Sequence, residues 1–346
     1  MLPLIARART LGVSMALATA GLGAVATIPA YAEATTWDIQ VGAGNEVDTG
    51  LNRFYPSDIT IHRGDTVSFA WRGGHTVTFN PRPTQSLLDY FGPLGFSPGP
   101  LDSANKFVSG VPMGAPGTES PPFNVVVDVP AGKYHFQCML HQFMHGSITV
   151  KNGTLPRTNG QNKTLAHNQI TADTNRASAL DARLTRGASH SDGEAIAGAG
   201  DKVVEFAKFY PTAITVHVGD ELTFTDRDLH EPHTVSFGPI AGDPQLDPTF
   251  GVFPSGPGNP KAFDGTSALN SGFLLYQSMY DYWKLQYSPV SAVVPRHEFS
   301  VTFTPTAAGK TINFYCALHG RLLPDGSVVG MSGHITVLAA ENGGGD

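Results

Sequence analysis

The sequence predicts an all-β protein that consists of two tandem sandwiches or barrels joined by a polar linker. Its 346 residues exceed what one small domain needs, and this length favours about two domains. Its 39 glycines and 26 prolines separate β-branched runs, a composition typical of turn-rich β chains. The most direct observation is that one half of the chain repeats the other.

The same series of short motifs occurs twice, in the same order. The first series comprises Phe54–Pro56, Ile59–His62, Gly64–Asp65, His75–Phe79, Ala131–Lys133, Phe136–Cys138 and Gly146–Val150. The second comprises Phe209–Pro211, Ile214–His217, Gly219–Asp220, His233–Phe237, Ala308–Lys310, Phe314–Cys316 and Gly333–Val337. Alternating apolar and polar residues in these motifs indicate half-buried strands, and the Gly-Asp pairs indicate tight turns. We therefore predict a tandem duplication, with one domain at 34–151 and the other at 200–340.

A polar segment, 152–199, lies between the two repeats and is predicted to be a linker. Its ends are rich in Gly, Asn, Ser and Thr. In the middle, Ala177, Leu180 and Leu184 recur at helical spacing, so we expect one short helix from Ala172 to Arg186. This helix is expected to pack between the domains.

The first 32 residues have the features of a secretory signal peptide. Arg7 and Arg9 supply the positive region, an apolar stretch follows over Leu11–Ile28, and Ala30–Ala32 forms an A-x-A cleavage site. The alternative, a membrane anchor, is disfavoured because the apolar run is short and ends in that cleavage site. We therefore expect export to the periplasm or the medium, with no membrane span in the mature chain.

The net charge limits the kinds of binding partner, and the two cysteines raise the question of a disulfide. The net charge is −7 and there is no basic run, which argues against nucleic acid or an anionic membrane as a partner. The two cysteines, Cys138 and Cys316, would form a disulfide in the simplest interpretation of an exported chain. They occupy equivalent positions in two separate repeats, however, and this disfavours their pairing.

Each repeat contains one cysteine, two histidines and one methionine that together suit one metal. These residues are His75, Cys138, His141 and Met144 in the first repeat and His233, Cys316, His319 and Met331 in the second. A thiolate and two imidazoles with a weak axial thioether form the blue-copper arrangement used for electron transfer. Zinc also binds cysteine and histidine, but methionine is a poor zinc ligand, so copper is favoured. His230 competes with His233, which is preferred because it alone precedes the Thr-Val-x-Phe motif shared with His75.

Both repeats resemble the cupredoxins, the family that includes plastocyanin, pseudoazurin and halocyanin. The run Cys138–Gly146, which reads Cys-x-x-His-x-x-Met-x-Gly, is similar to the ligand loop of that family in its short form. The segments Phe263–Thr266 and Asn270–Gly272 also resemble exported members. The resemblance covers nearly the whole mature chain except the linker. It implies two Greek-key cupredoxin domains, each binding one type 1 copper ion through the four residues named above.

Two features depart from the family pattern. In the second repeat Arg321–Gly326 lengthens the loop between cysteine and methionine, so Met331 is assigned from the shared Gly-x-Ile-Thr-Val frame rather than from its spacing to Cys316. Thr76 and Thr234 follow the upstream histidines, where many members have an asparagine that steadies the ligand loop. Because the surroundings of the ligands tune a metal site, we expect the two coppers to have different reduction potentials.

The main alternative is a copper enzyme, because two-domain nitrite reductases and multicopper oxidases also consist of cupredoxin units. The oxidases bind further coppers through His-x-His pairs and a His-Cys-His run, and nitrite reductases place a histidine next to the cysteine. This sequence has no His-x-His pair, and no histidine flanks Cys138 or Cys316. An electron carrier is therefore favoured over an enzyme. Copper storage or delivery is a further alternative, which the seven methionines of the chain do not favour. An additional copper would be sought at His62, His135, His145, His217 and His334.

The resemblance implies one-electron transfer outside the cytoplasm, with redox proteins as donor and acceptor. In this family the edge of the downstream histidine reaches the surface, so His141 or His319 is expected to be the port for electrons. Met139, Leu140 and Phe143 are apolar neighbours of His141. They either pack over the metal or form an apolar docking patch.

Overall fold

Short strands separated by turns make up most of both repeats in the computed structural model. The structure describes residues 34–45, 48–81, 99–112, 120–188, 193–240, 262–286 and 296–340. The predicted signal peptide, 1–32, lies outside the described residues. Ala34–Asp346 forms one compact unit that contains both repeats. No helix among the described residues is long and apolar enough to cross a membrane.

The described residues of the first repeat form ten strands. They are β1 (Thr36–Gly44), β2 (Thr49–Tyr55), β3 (Asp58–Ile61), β4 (Thr66–Trp71), β5 (Val77–Phe79), β6 (Leu101–Asp102), β7 (Val108–Gly110), β8 (Phe123–Asp128), β9 (Gly132–Gln137) and β10 (His145–Val150). Their side chains alternate in burial where the sequence alternates in polarity, most regularly in β8. This alternation gives each strand one face for the core.

The second repeat follows the helix α1 (Asn159–Ala188). Its elements are β11 (Glu194–Gly200), β12 (Val204–Tyr210), β13 (Ala213–His217), β14 (Glu221–Arg227), β15 (Ser236–Phe237), β16 (Leu269–Asn270), α2 (Gln277–Gln286), β17 (Glu298–Thr302), a 3₁₀ turn (Pro305–Ala307), β18 (Thr311–Leu322) and β19 (Val328–Leu338). The strands follow the order of the first repeat, except that β6 has no counterpart among the described strands and that the helix α2 is added. The all-β tandem fold predicted from the sequence is therefore confirmed, and two helices are added to it within the described residues.

The strands of the described residues form three sheets, which make up the two sandwiches. A nine-stranded sheet has the order β17-β14-β11-β12-β2-β1-β4-β8-β6 and runs through both repeats. A five-stranded sheet, β3-β10-β9-β5-β7, faces the first-repeat strands of the large sheet. A second five-stranded sheet, β13-β19-β18-β15-β16, faces its second-repeat strands. The continuity of the large sheet comes from antiparallel pairing of β2 with β12.

Each sandwich is filled by an aromatic core with the same geometry in both repeats. The rings of Phe54 and Phe136 lie 4.8 Å apart and nearly perpendicular, and those of the equivalent Phe209 and Phe314 also lie 4.8 Å apart. All four rings are almost completely buried. Burial of such side chains contributes roughly 1.5–3 kcal/mol each, so these rings hold the two layers of each sandwich together.

The segment between the repeats contains a helix longer than the short one expected from Ala172 to Arg186. The helix α1 starts earlier because Thr158 and Gln161 form a capping box: Gln161 N donates to Thr158 Oγ1 at 3.2 Å, and Thr158 N to Gln161 Oε1 at 2.8 Å. The predicted linker, 152–199, thus includes a thirty-residue helix and the first residues of β11. One face of α1 packs on the large sheet through Ala177, with Leu180 and Leu184 partly buried beside it.

Candidate metal centres

The first candidate centre brings together His75, Cys138 and His141. His75 lies between β4 and β5, Cys138 directly follows β9, and His141 lies in the loop to β10. His141 Nδ1 is 2.9 Å from His75 Nδ1 and 3.3 Å from Cys138 Sγ. All three side chains are buried. One thiol and two imidazole nitrogens therefore converge on one point inside the sandwich.

Backbone hydrogen bonds close the ligand loop of the first repeat and bring Met144 back to the cysteine. Cys138 N donates to Met144 O at 2.9 Å, and Met144 N donates to His141 O at 3.0 Å. Met144 is buried in the same hydrophobic cluster as Cys138. The structure thus brings all four residues predicted for the first site into one region.

The second candidate centre contains His233, Cys316 and His319. Cys316 Sγ lies 3.5 Å from His319 Nδ1 and 3.9 Å from His233 Nδ1. Residue His230, the competing histidine, is buried elsewhere, with its Nε2 2.7 Å from Asp201 O. The structure thus places His233, rather than His230, beside the cysteine.

The inserted residues of the second ligand loop form a hairpin. β18 and β19 pair as far as Leu322 and Val328, and the register shifts between Tyr315 and Gly320, so the cysteine and histidine ligands bulge from the ladder. Met331 in β19 lies opposite this bulge, and it is buried in the same cluster as the cysteine. The insertion therefore lengthens two strands away from the centre and leaves the methionine near the cysteine.

Two threonines occupy the position at which many cupredoxins have an asparagine, and they hold the ligand loops. In the first repeat, Thr76 N lies 3.4 Å from Cys138 Sγ, and Thr76 Oγ1 accepts a hydrogen bond from Met139 N at 2.7 Å. The equivalent contacts in the second repeat are Thr234 N to Cys316 Sγ, 3.3 Å, and Ala317 N to Thr234 Oγ1, 2.7 Å. Each threonine thus fixes the residue after the cysteine and supplies an amide to the sulfur.

The electrostatics of both groups favour the thiolate, which is the form that binds metals. Burial alone would raise the pKa of the Cys138 thiol, but His141 and His75 lower it well below its usual value. Burial likewise opposes ionisation of Cys316, and His319 and His233 lower its pKa in the same way. A buried thiolate with two imidazole Nδ1 atoms and a nearby methionine fits the donor set of a type 1 copper ion.

In each repeat a glycine lies directly against the ring of the upstream histidine. The sequence analysis did not identify these two glycines. Gly42 and Gly198 have φ angles of +74° and +82°, at register shifts in β1 and β11. A Cβ atom at either position would overlap the ring of His75 or His233, respectively. The repeated Gly-Ala-Gly sequence, at 42–44 and 198–200, is the signal that could have revealed this feature.

The outer nitrogens of the two upstream histidines differ in their surroundings. His233 Nε2 lies 3.1 Å from Oδ2 of Asp228, and both side chains are almost completely buried. Burial would lower the pKa of His233, but Asp228 and Cys316 raise it to about 10. Where the second repeat has Asp228, the first has only Gly73 and Gly74 before its histidine. The two centres therefore have the same donor atoms but differ in the groups that contact the upstream histidine.

Comparison with known proteins identifies the family. The plastocyanin of Dryopteris crassirhizoma is 33% identical over 116 residues, which cover 32% of this chain and 99% of that protein. The chain belongs to the plastocyanin-like cupredoxins. No family model matches the sequence.

Solved cupredoxin structures align with one part of the chain. An amicyanin variant in its Cu(I) form is 20% identical, with 43% of this chain and 88% of that chain covered and a TM-score of 0.21. Oxidised plastocyanin from Dryopteris crassirhizoma is 20% identical, with 42% and 98% covered and a TM-score of 0.20. Pseudoazurin from Hyphomicrobium denitrificans is 16% identical, with 34% and 76% covered and a TM-score of 0.20.

The edge of His141 is covered by the second cupredoxin repeat, so the expectation that it reaches the surface is wrong. Its side chain is 1% exposed, whereas that of His319 is 21% exposed. Two side chains of α2, together with one side chain of the loop itself, bond this loop to the second repeat. Trp283 Nε1 donates to Leu140 O at 3.0 Å, Tyr282 OH to Cys138 O at 2.6 Å, and Gln142 Nε2 to Leu229 O at 2.7 Å. The apolar neighbours of His141 therefore pack within the protein and do not form an open docking patch.

A third group of potential ligands lies between the two centres. His141, Glu205 and Glu231 each contribute one potential ligand atom, and these three atoms lie within 4.8 Å of one another. These residues and His319 line a cavity of about 190 Å³. This group could not be predicted from the sequence, because it depends on how the two repeats pack.

The five histidines considered for an additional copper lie outside every such group in the described part of the chain. His135, His145 and His334 are exposed, and His62 and His217 are partly exposed. Both cysteines are free, so the disulfide alternative does not apply.

Proposed function

We propose that this cupredoxin is an exported electron carrier that holds two type 1 copper ions. The observation that carries the proposal is the twofold convergence of a buried thiol, two imidazole Nδ1 atoms and a buried methionine. The ligands would be His75, Cys138, His141 and Met144, and His233, Cys316, His319 and Met331. Copper bound there would supply a one-electron couple between its cuprous and cupric states.

The residues around each centre are suited to holding one geometry in both oxidation states. The ligands come from strand ends and closed loops, and the groups of the first centre are almost fully buried. Thr76 and Thr234 fix the residue after each cysteine by hydrogen bonds of 2.7 Å. Such a rigid, water-poor site limits the rearrangement that accompanies electron transfer.

Copper content and spectra test this proposal. We expect the chain expressed without residues 1–32 to bind about two copper ions, with strong blue absorption and narrow-hyperfine EPR signals. The C138S and C316S variants should each lose one of the two signals and keep the other. A colourless protein without bound copper would refute the proposal.

Export is proposed from the signal-like sequence of residues 1–32. The test is expression of the full chain with its own leader, followed by fractionation and mass measurement. We expect the protein outside the cytoplasm, with its N-terminus at Glu33. Retention of the leader in a cytoplasmic protein would contradict this part of the proposal.

Redox proteins are the proposed partners, and the second repeat is the proposed place of contact. The support is the difference in exposure between the two downstream histidines, because His319 keeps 21% of its side chain exposed while His141 is buried. We expect charge or apolar substitutions near His319 to change the rate of reaction with an external redox protein.

One observation favours a copper enzyme as a second candidate. His141, Glu205 and Glu231 together offer an imidazole nitrogen and carboxylate oxygens within 4.8 Å, a set that could bind an additional copper ion. An enzyme of this kind would bind a third copper with a normal-hyperfine EPR signal that changes on addition of azide or nitrite. A count of two coppers with only narrow-hyperfine signals would exclude it.

A further inference from the structure

A single carboxylate lies between the ring edges of the two downstream histidines. Glu231 Oε2 is 2.6 Å from His319 Nε2, and Glu231 Oε1 is 3.7 Å from His141 Nε2. Each of its oxygens thus faces a different candidate centre. His141 Nε2 is buried and has no hydrogen-bond partner within the described part of the chain.

The protonation of the two rings follows from which nitrogen faces each thiol. His141 Nδ1 and His319 Nδ1 lie 3.3 and 3.5 Å from the sulfur of their own cysteine, so these nitrogens are the ones directed at the metal. A histidine that ligates through one nitrogen keeps a proton on the other and donates it, most often to a carboxylate or carbonyl. Both outer nitrogens are therefore donors, and Glu231 offers one acceptor oxygen to each.

Glu205, the other carboxyl group that lines the cavity, is engaged elsewhere. It accepts a hydrogen bond from Asn52 Nδ2 at 2.6 Å. Glu231 is therefore the carboxylate whose two oxygens face the two histidine rings.

We propose that Glu231 couples the two copper sites by accepting a hydrogen bond from each downstream histidine, and that electrons pass between the sites along His141, Glu231 and His319. The proposal rests on the proposed function. In the transfer one site loses an electron and the other gains it, both protons stay on Nε2, and no covalent bond forms or breaks. A metal ion held by Glu231 is the competing use of this cavity, but it would require His141 to give up the Nε2 proton.

Rapid one-electron reduction of the copper-loaded chain tests the proposal. A pulse of reductant populates the two sites unevenly, and the visible spectrum then follows the concentration-independent redistribution of electrons between them. In E231Q one ring faces an amide NH₂ group instead of an acceptor, so we expect redistribution to slow by about 10-fold or more. E231D keeps the charge but is too short to reach both rings, and it should also be slow.

The control is E221Q, which changes an exposed carboxyl group of β14 that lines neither this cavity nor either candidate centre. It should redistribute electrons at the wild-type rate. Copper analysis and EPR before each pulse establish that both sites are filled and type 1. An unchanged rate in E231Q with both sites filled would overturn the proposal, and so would a third copper in the wild type that E231Q lacks. A wild-type chain without two coppers would refute the proposed function itself.

Discussion

Asp228 is the residue that most clearly distinguishes the two centres. It is buried 3.1 Å from the outer nitrogen of His233, and its counterpart in the first repeat is a pair of glycines. A carboxylate on the outer nitrogen makes a ligating imidazole more basic and so favours the more highly charged cupric ion. We therefore expect the second site to have the lower reduction potential and to act as donor to the first.

The D228N variant tests this assignment. Loss of the negative charge should raise the potential of the second site by about 60 mV, which corresponds to roughly 1.4 kcal/mol for a one-electron couple. The first site, which lacks this contact, should keep its potential and serves as the internal control. A spectroelectrochemical titration resolves the two components, and an unchanged or lower second potential would contradict the argument.

The glycines under the upstream histidines give a second prediction at this scale. G42A should displace His75 and reduce copper at the first site alone, and G198A should do the same to His233 and the second site. Both also place a side chain in the left-handed region, at a cost of about 1–2 kcal/mol.

Two further glycines provide controls that distinguish a clash with the histidine ring from the strain of a positive φ angle. Gly64 and Gly219 have φ angles of +91° and +96°, with no atom within 4 Å of an added Cβ. G64A and G219A should therefore lower stability by a similar amount and keep both coppers. Equal copper loss in all four variants would show that the contact with the histidine ring is irrelevant.

At the scale of elements, the helix α1 holds both repeats by equivalent contacts. Asp173 accepts a hydrogen bond from Tyr55 OH at 3.0 Å, and Asp181 accepts one from Tyr210 OH at 2.6 Å. The two tyrosines occupy the same position of the repeated Phe-Tyr-Pro motif. The helix α1, which the sequence placed in a linker, therefore packs across the shared sheet and contacts both repeats.

The two aspartates should differ in how much they stabilise the fold. Asp173 is 8% exposed and also pairs with Arg53, so D173A should lower the free energy of unfolding by about 1–3 kcal/mol. Asp181 is 35% exposed, so D181A should cost less because water replaces part of the interaction. The exposed N175A is the control, expected within about 0.5 kcal/mol of wild type in urea unfolding. A larger loss in D181A than in D173A would contradict the assignment.

The parts of the molecule that the sequence predicted are those fixed by local chemistry. Cys138, His141 and Met144 share one short loop, so their spacing alone indicated a metal centre. The start of α1 was missed because a capping box in a polar segment, rather than an apolar pattern, sets it. Glu231 and the burial of His141 were not predictable, because both follow from packing between repeats that are far apart in sequence.

At the scale of the whole molecule, the nine-stranded sheet is continuous through both repeats. β2 and β12 pair directly, and Asn52 N donates to Val203 O across them at 2.7 Å. The sheet thus fixes the distance between the two centres, which a flexible tether would leave variable.

A shared sheet predicts that the repeats unfold together. Calorimetry of the metal-free chain should show one transition, because neither sandwich can lose its half of the sheet alone. Copper bound only to the first site, in the C316S variant, should raise the temperature of that single transition for the whole chain. Two separate transitions, of which copper shifts only one, would show that the repeats are independent.

The pairing of β2 with β12 also has a symmetric register. Thr49 pairs with Phe206, Gly50 with Glu205 and Leu51 with Val204. With the repeats aligned on their Phe-Tyr-Pro motifs, Gly50 and Glu205 are equivalent residues, so the pairing is the same seen from either strand. This is the isologous geometry of a twofold-symmetric dimer, and the two repeats meet across it as two identical chains would.

Fusion removes a restriction that such symmetry imposes. In a dimer of identical chains, the residue on the twofold axis faces its own copy, and two carboxylates there would repel each other. In the fused chain Glu205 instead faces Gly50, where any Cβ atom would overlap the carboxyl group. A fused chain can therefore carry an acidic residue in one repeat and a small one in the other, so the cavity between the two similar centres is asymmetric.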